Sequence, residues 1–124
     1  VKLQKDTKGV HAVLRISGTL SLGDSTRMLS EQFEEISKDL TGAVILDLSG
    51  LEHLDSTAVG VLVGGLKRFE SQGRRFFLVN PRDRVMSVFR ITHLDSVFRV
   101  FPSIDGALAA ADIAKDEETG GGRR

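Results

Sequence analysis

The chain has 124 residues, 40% of them hydrophobic, which suits one domain with a modest core rather than two. Seventeen basic residues balance seventeen acidic ones, so no net field draws in nucleic acid, an anionic membrane or an acidic substrate. Cysteine is absent, which excludes a disulfide framework and a thiolate metal site. No apolar run approaches the roughly 18 residues of a membrane span, and the opening VKLQKDTKGVHAVL holds no signal-peptide core. These features together predict a soluble, cytoplasmic protein. Charge is nevertheless uneven: residues 31–55 hold seven acidic side chains against Lys38, while residues 67–90 hold Lys67, Arg68, Arg74, Arg75, Arg82, Arg84 and Arg90 against Glu70 and Asp83. With no Tyr or Trp interleaved for base stacking, the basic stretch reads as solvated helix faces.

Two extended segments open the chain, Lys2–Lys5 and His11–Ser17, joined by the turn residues Asp6-Thr7-Lys8-Gly9 into a predicted hairpin. Leu29, Phe33, Ile36 and Leu40 recur at helical spacing and predict a helix over Asp24–Leu40, with Asp24 or Ser25 as its cap. The almost unbroken apolar runs 43–48 and 76–79, each bounded by turn residues, read as strands buried on both faces. A parallel pair of such strands needs a crossover of a dozen or more residues, usually a helix. That assigns Thr57–Gln72 to a helix despite its valines and glycines, with Leu62, Leu66 and Phe69 inward and Gly73 as its stop. Gly60 and Gly64, at i and i+4, are expected to bring this helix close to the sheet. Asn80-Pro81 predicts the start of a further helix carrying Val85, Val88, Phe89 and Thr92 on one face. A short strand over Val97–Phe101 and a last helix from Ile104 to about Ile113, with Leu108 and Ala111 inward, complete an α/β order of β-β-α-β-α-β-α-β-α. The domain is expected to span residues 1–113, and residues 114–124 to form a disordered tail.

In open α/β sheets the loops at the carboxyl ends of strands gather function, and Leu51-Glu52-His53-Leu54-Asp55-Ser56-Thr57 reads as such a loop. The plainest role for Asp55 or Ser56 there is an N-cap. A phosphate loop fails on spacing, since Leu66 follows Gly65 and Lys67 comes one place late. A hydrolase reading lacks the G-x-S-x-G elbow, although His53, Asp55 and Ser56 share the loop. His11, His53 and His93 are scattered, which gives no histidine metal site, and Asp47 reads as a hydrogen-bonded strand residue rather than a ligand.

The run VILDLSGLEHLDSTAVGVLVGGLKRFESQGRRFFLVN resembles the STAS domain of bacterial anti-sigma factor antagonists, and the flanks VLRISGTL and RITHLDSVFRVFPSIDGAL fit the same pattern, so that the resemblance covers about residues 10–110. It implies a single α/β domain with a mixed sheet of about five strands packed with about four helices. It also implies a binding switch with no catalytic residues, no cofactor and no metal. In such antagonists a Ser or Thr at the start of the helix is phosphorylated by the anti-sigma factor, itself a serine/threonine kinase. The unphosphorylated form binds that kinase and frees a sigma factor, and a PP2C-type phosphatase reverses the modification. Thr57 matches the acceptor, with Ser56 the second candidate, and Asp55 and Ser56 match the residues that shape the turn. The expected partner surface is the N-terminus of this helix with the adjoining loops around Leu20–Asp24 and Glu52–Ser56 and the helix face near Lys67, and it includes Ser21, Asp24, His53, Asp55, Thr57 and Lys67; the charge balance and hydropathy above leave no nucleic acid and no membrane among the expected partners. Ser21 stands where many members carry an acidic residue, and Ala58 where Gly is common. The rival reading is a nucleotide- or small-ligand-binding sensor or scaffold module that uses the same helix N-terminus as an anion site.

Overall fold

The structure is a computed structural model that describes the backbone of residues 1–121 and the side chains of residues 1–113. The expected tail at 114–124 therefore lies in part outside the described residues. Nine elements follow the predicted order: β1 (Lys2–Lys8), β2 (His11–Leu20), α1 (Asp24–Asp39), β3 (Val44–Leu54), α2 (Ser56–Ser71), β4 (Phe76–Val79), α3 (Asp83–Ile91), β5 (Arg99–Phe101) and α4 (Ile104–Gly121). The strands form one mixed sheet in the order β1-β2-β3-β4-β5, antiparallel between β1 and β2 and parallel from there on.

Alternation along the strands divides the core into two layers. Leu14, Ile16, Leu46, Leu48 and Leu78 face α1, α2 and α3 and pack with Leu29, Phe33, Ile36, Leu62, Phe69, Val85 and Phe89. Val13, Ile45, Phe77 and Val79 face the other way, where Ala107 and Ala111 of α4 cover them. Each central strand thus buries both faces, which is why β3 and β4 begin as continuous apolar runs rather than alternating ones. The crossover argument for α2 holds: Leu62, Leu66 and Phe69 are buried, and Gly73 ends the turn after the helix at φ 72°, a conformation that costs glycine nothing.

Several boundaries differ from those the sequence predicts. β3 continues through Ser49 and Gly50 to Leu54, because β2 pairs with it to the end, through two register shifts that absorb the break. Residues 51–54 are therefore strand, and the functional loop shrinks to Asp55. α1 is capped by neither Asp24 nor Ser25; its N-cap is Gly23, which makes no side-chain cap bond. α3 begins at Asp83, not at Pro81, since Asn80 adopts φ 49° and turns the chain first. β5 is shorter than predicted and α4 longer, running past Ile113 to Gly121.

The expected closeness of Gly60 and Gly64 to the sheet is also corrected. A Cβ at either position would meet nothing within 4 Å, and both face solvent. The buried glycine is Gly65, where a Cβ would lie 2.6 Å from Phe33 Cε2 of α1. The close approach is helix on helix. Arg74 departs from the solvated reading of the basic stretch as well. It is 7% exposed, donates from Nε to Gly42 O at 2.7 Å, and lies over the Phe69 ring at 4.8 Å.

Candidate functional site at the N-terminus of α2

Buried Leu54 ends β3, and the next residue, Asp55, keeps an extended backbone before the chain turns into α2. That geometry suits an N-cap, whose side chain reaches forward to an amide the helix leaves unpaired. Asp55 Oδ1 accepts from Ala58 N at 2.9 Å. The second oxygen, Oδ2, accepts from Leu22 N at 2.8 Å, across 33 residues of sequence. The Asp55 amide donates to Leu20 O at 3.1 Å. One residue therefore caps α2 and ties the β2–α1 loop to it.

These bonds stabilise the charged form. The Ala58 amide, then the Leu22 amide, hold the Asp55 carboxyl below the ordinary aspartate range; partial desolvation opposes them, and the Thr57 amide adds to the lowering. The loop is braced from its other side by Ser25, whose Oγ accepts from Ser21 N and donates to Ser21 O, both at 2.9 Å. Leu22 between these two ties is 77% exposed. Ser56 and Thr57 are exposed on the first turn of α2, while Ala58 behind them is buried.

Of the residues the sequence singled out, Ser21, Asp55, Ser56 and Thr57 come together here. Asp24 opens α1 just after that loop, exposed and paired with Arg27 at 2.8 Å. His53 is exposed near the end of β3, and its Nε2 accepts from Arg84 Nη1 at 2.7 Å. Lys67 does not join them, because ten residues of helix place it about 15 Å along α2 from Thr57. Arg84 was not picked out from the sequence, and Leu22 was expected only as part of the loop around Leu20–Asp24, not for its own side chain. The only available signal for Leu22 was an apolar residue in the turn Ser21-Leu22-Gly23-Asp24, where polar residues are the norm.

The arrangement decides among chemistries. His53 is engaged by Arg84 and Asp55 by two amides, so neither is aimed at the Ser56 hydroxyl as a base. Asp47 accepts from Ser49 N at 3.0 Å and pairs with Arg15 at 3.7 Å, as its strand position suggested. Among the described residues no three His, Asp or Glu side chains gather as a metal site, and no helix is long and apolar enough to cross a membrane. A cavity of about 330 Å³ lies on the α4 side of the sheet, lined in part by Arg15, Asp47, Ser49, Asn80 and Ser103. A smaller one of about 180 Å³ lies between α1 and α2 beside Phe33, Gly64 and Gly65.

Comparison with known proteins gives this geometry a context. The STAS domain pattern matches residues 2–107. The Thermotoga neapolitana protein named "Putative anti-sigma factor antagonist TM1081 homolog" is 38% identical over 76 residues, which are 61% of this chain and 67% of that one. The crystal structure of TM1081 itself, from Thermotoga maritima, matches with a TM-score of 0.80 at 24% identity, over 89% of this chain and 94% of that chain. The Bacillus cell fate determinant SpoIIAA, solved in its phosphorylated form, shares the fold at a TM-score of 0.69 and 20% identity, over 88% of this chain and 98% of that one.

Proposed function

Since the chain belongs to the STAS domain family, we propose that it is an anti-sigma factor antagonist, a binding switch that engages a kinase-type anti-sigma factor through the N-terminus of α2 and releases it when Thr57 is phosphorylated. The observation that carries this reading is the setting of Thr57: an exposed hydroxyl in the first turn of a helix whose cap is already occupied by Asp55. The fold relative SpoIIAA occurs in both phosphorylated and unphosphorylated forms, which is the behaviour the reading assigns to this chain.

A phosphate on Thr57 adds about −1.5 to −2 charges. The α2 dipole favours that charge by about 0.3–1 kcal/mol, and the neighbouring Asp55 carboxylate opposes it, so the folded domain changes little in stability. The surface changes far more. A partner that packs against a neutral Thr57 must desolvate a dianion after phosphorylation, at a cost of several kcal/mol where no cation meets it. A PP2C-type phosphatase is the enzyme class proposed to reset the switch. Thr57→Ala is expected to bind the kinase constitutively and to take up no phosphate at this position. Incubation with the kinase and ATP, followed by intact mass and peptide mapping, tests the assignment, and phosphate on Ser56 instead would move it by one residue.

The second reading is a nucleotide- or small-ligand-binding sensor or scaffold module that uses the same helix N-terminus as an anion site. The Ala58 amide is taken by the Asp55 carboxylate, so an anion placed on that amide would have to displace it. The polar cavity beside Arg15 and Ser103 offers such a ligand a second place to bind. Nucleotide-dependent thermal stabilisation of the protein would favour this reading.

A further inference from the structure

The two most exposed large apolar side chains of the described residues are Leu22 and Ile91, both at 77%. Scattered apolar residues on a surface need no explanation, so exposure alone decides nothing. Their settings differ. Ile91 is the last residue of α3, a helix that starts on the same side of the sheet as Thr57 and runs away from it. Leu22 is anchored at the site itself: its amide donates to Asp55 Oδ2, while Asp55 Oδ1 holds Ala58 one residue beyond Thr57. Ser25 fixes the preceding peptide through both its amide and its carbonyl. Three side-chain bonds thus immobilise a loop whose only large apolar side chain points at solvent.

Ordering a flexible loop on binding costs free energy, and this loop is ordered beforehand. Binding energy at interfaces concentrates in a few well-packed anchors surrounded by contacts that exclude water. We infer that Leu22 is the apolar anchor of the partner surface, inserting into an apolar pocket of the anti-sigma factor whose rim closes over the neutral Thr57 hydroxyl, with Asp55 as the positioning residue that holds Leu22 in place. The inference rests on the antagonist reading and adds to it the chemistry of the partner: a pocket that is apolar rather than basic. It also supplies a reason for the strength of the switch, since a dianion at the rim keeps water around the one contact that most needs to lose it.

The test is calorimetric titration of the full chain against the kinase-type anti-sigma factor from the same genome, in the absence of ATP. Leu22→Ala is expected to weaken binding about 30-fold, Leu22→Met to stay within about threefold, and Ile91→Ala to match wild type. Circular dichroism melts of the three should coincide with that of wild type, because both side chains are exposed. Asp55→Asn, whose amide has one acceptor for two donors, is expected to weaken binding too. Its combination with Leu22→Ala should cost less than the product of the two single effects, the non-additivity that marks one residue acting through another. Wild-type affinity in Leu22→Ala would overturn the inference while leaving the antagonist reading intact. Failure of the folded wild-type chain to bind would remove both.

Discussion

A single carboxylate does two jobs at this site, and only one of them shows in the sequence. An Asp placed just before a helix announces a cap, and Asp55 is one. Its second bond, to Leu22 33 residues away, depends on which loop the sheet brings alongside, and nothing local encodes that. The same bonds make a pH prediction. Because the folded-state pKa of Asp55 is depressed, its stabilising contribution is present above the unfolded aspartate value of about 3.9 and is lost as pH falls through the lower folded value. Asp55→Asn should therefore be less stable than wild type at neutral pH, with the difference shrinking toward zero in acid below about pH 4. Urea denaturation of both proteins across that range checks this, and a difference that persists unchanged into acid would contradict the hydrogen-bonded carboxylate.

At the scale of an element, α2 is the instructive case. Its sequence alternates like a strand around Val59–Val63 and carries three glycines, each costing about 1 kcal/mol relative to Ala in a helix interior. The crossover between two parallel strands overrides that preference, and counting the chain between β3 and β4 was enough to see it. What could not be seen was which glycine serves packing, because that depends on the rotation of α2 against α1. Gly65 sits against Phe33, whereas Gly60 and Gly64 face open space. Gly60→Ala is accordingly expected to stabilise the domain by about 0.5–1 kcal/mol. Gly65→Ala should destabilise it by about 1–3 kcal/mol, since Phe33 must shift and the Phe33–Phe69 edge contact at 5.8 Å moves with it. Chemical denaturation midpoints of the pair should fall on opposite sides of wild type. Both falling on the same side would mean that α2 is rotated differently.

For the whole molecule, the elements, their order and the two-sided burial of the sheet were legible from apolar runs and turn residues. The end of β3 and the start of α3 were not, because they are set by strand pairing and by Asn80 turning the chain. The means by which the second layer is held was equally hidden. His11, 6% exposed, accepts from Ala43 N at 2.8 Å through Nδ1, and its Nε2 donates to Asp112 Oδ1 of α4 at 2.7 Å. In the sequence it was one of three scattered histidines; in the fold it clips α4 to the sheet. His11→Ala leaves the Ala43 amide unpaired and should cost about 1–3 kcal/mol, measured by the same denaturation. The acidic and basic segments also meet across the fold, with Glu34 accepting from Arg68 at 2.7 Å, a bond that lowers the Glu34 pKa. Part of the apparent charge asymmetry is therefore offset by pairing between α1 and α2.

Phosphate at Thr57 is proposed to alter an interface without unfolding the domain. The most direct test is a pair of calorimetric titrations of the kinase-type anti-sigma factor, one with the unmodified chain and one with the chain phosphorylated to completion, alongside thermal melts of each form. Affinity is expected to be at least about tenfold weaker for the phosphorylated chain, a difference of about 1.4 kcal/mol, with melting temperatures that nearly coincide. Equal affinity of the two forms, or a phosphorylated chain that has lost its cooperative melt, would contradict it.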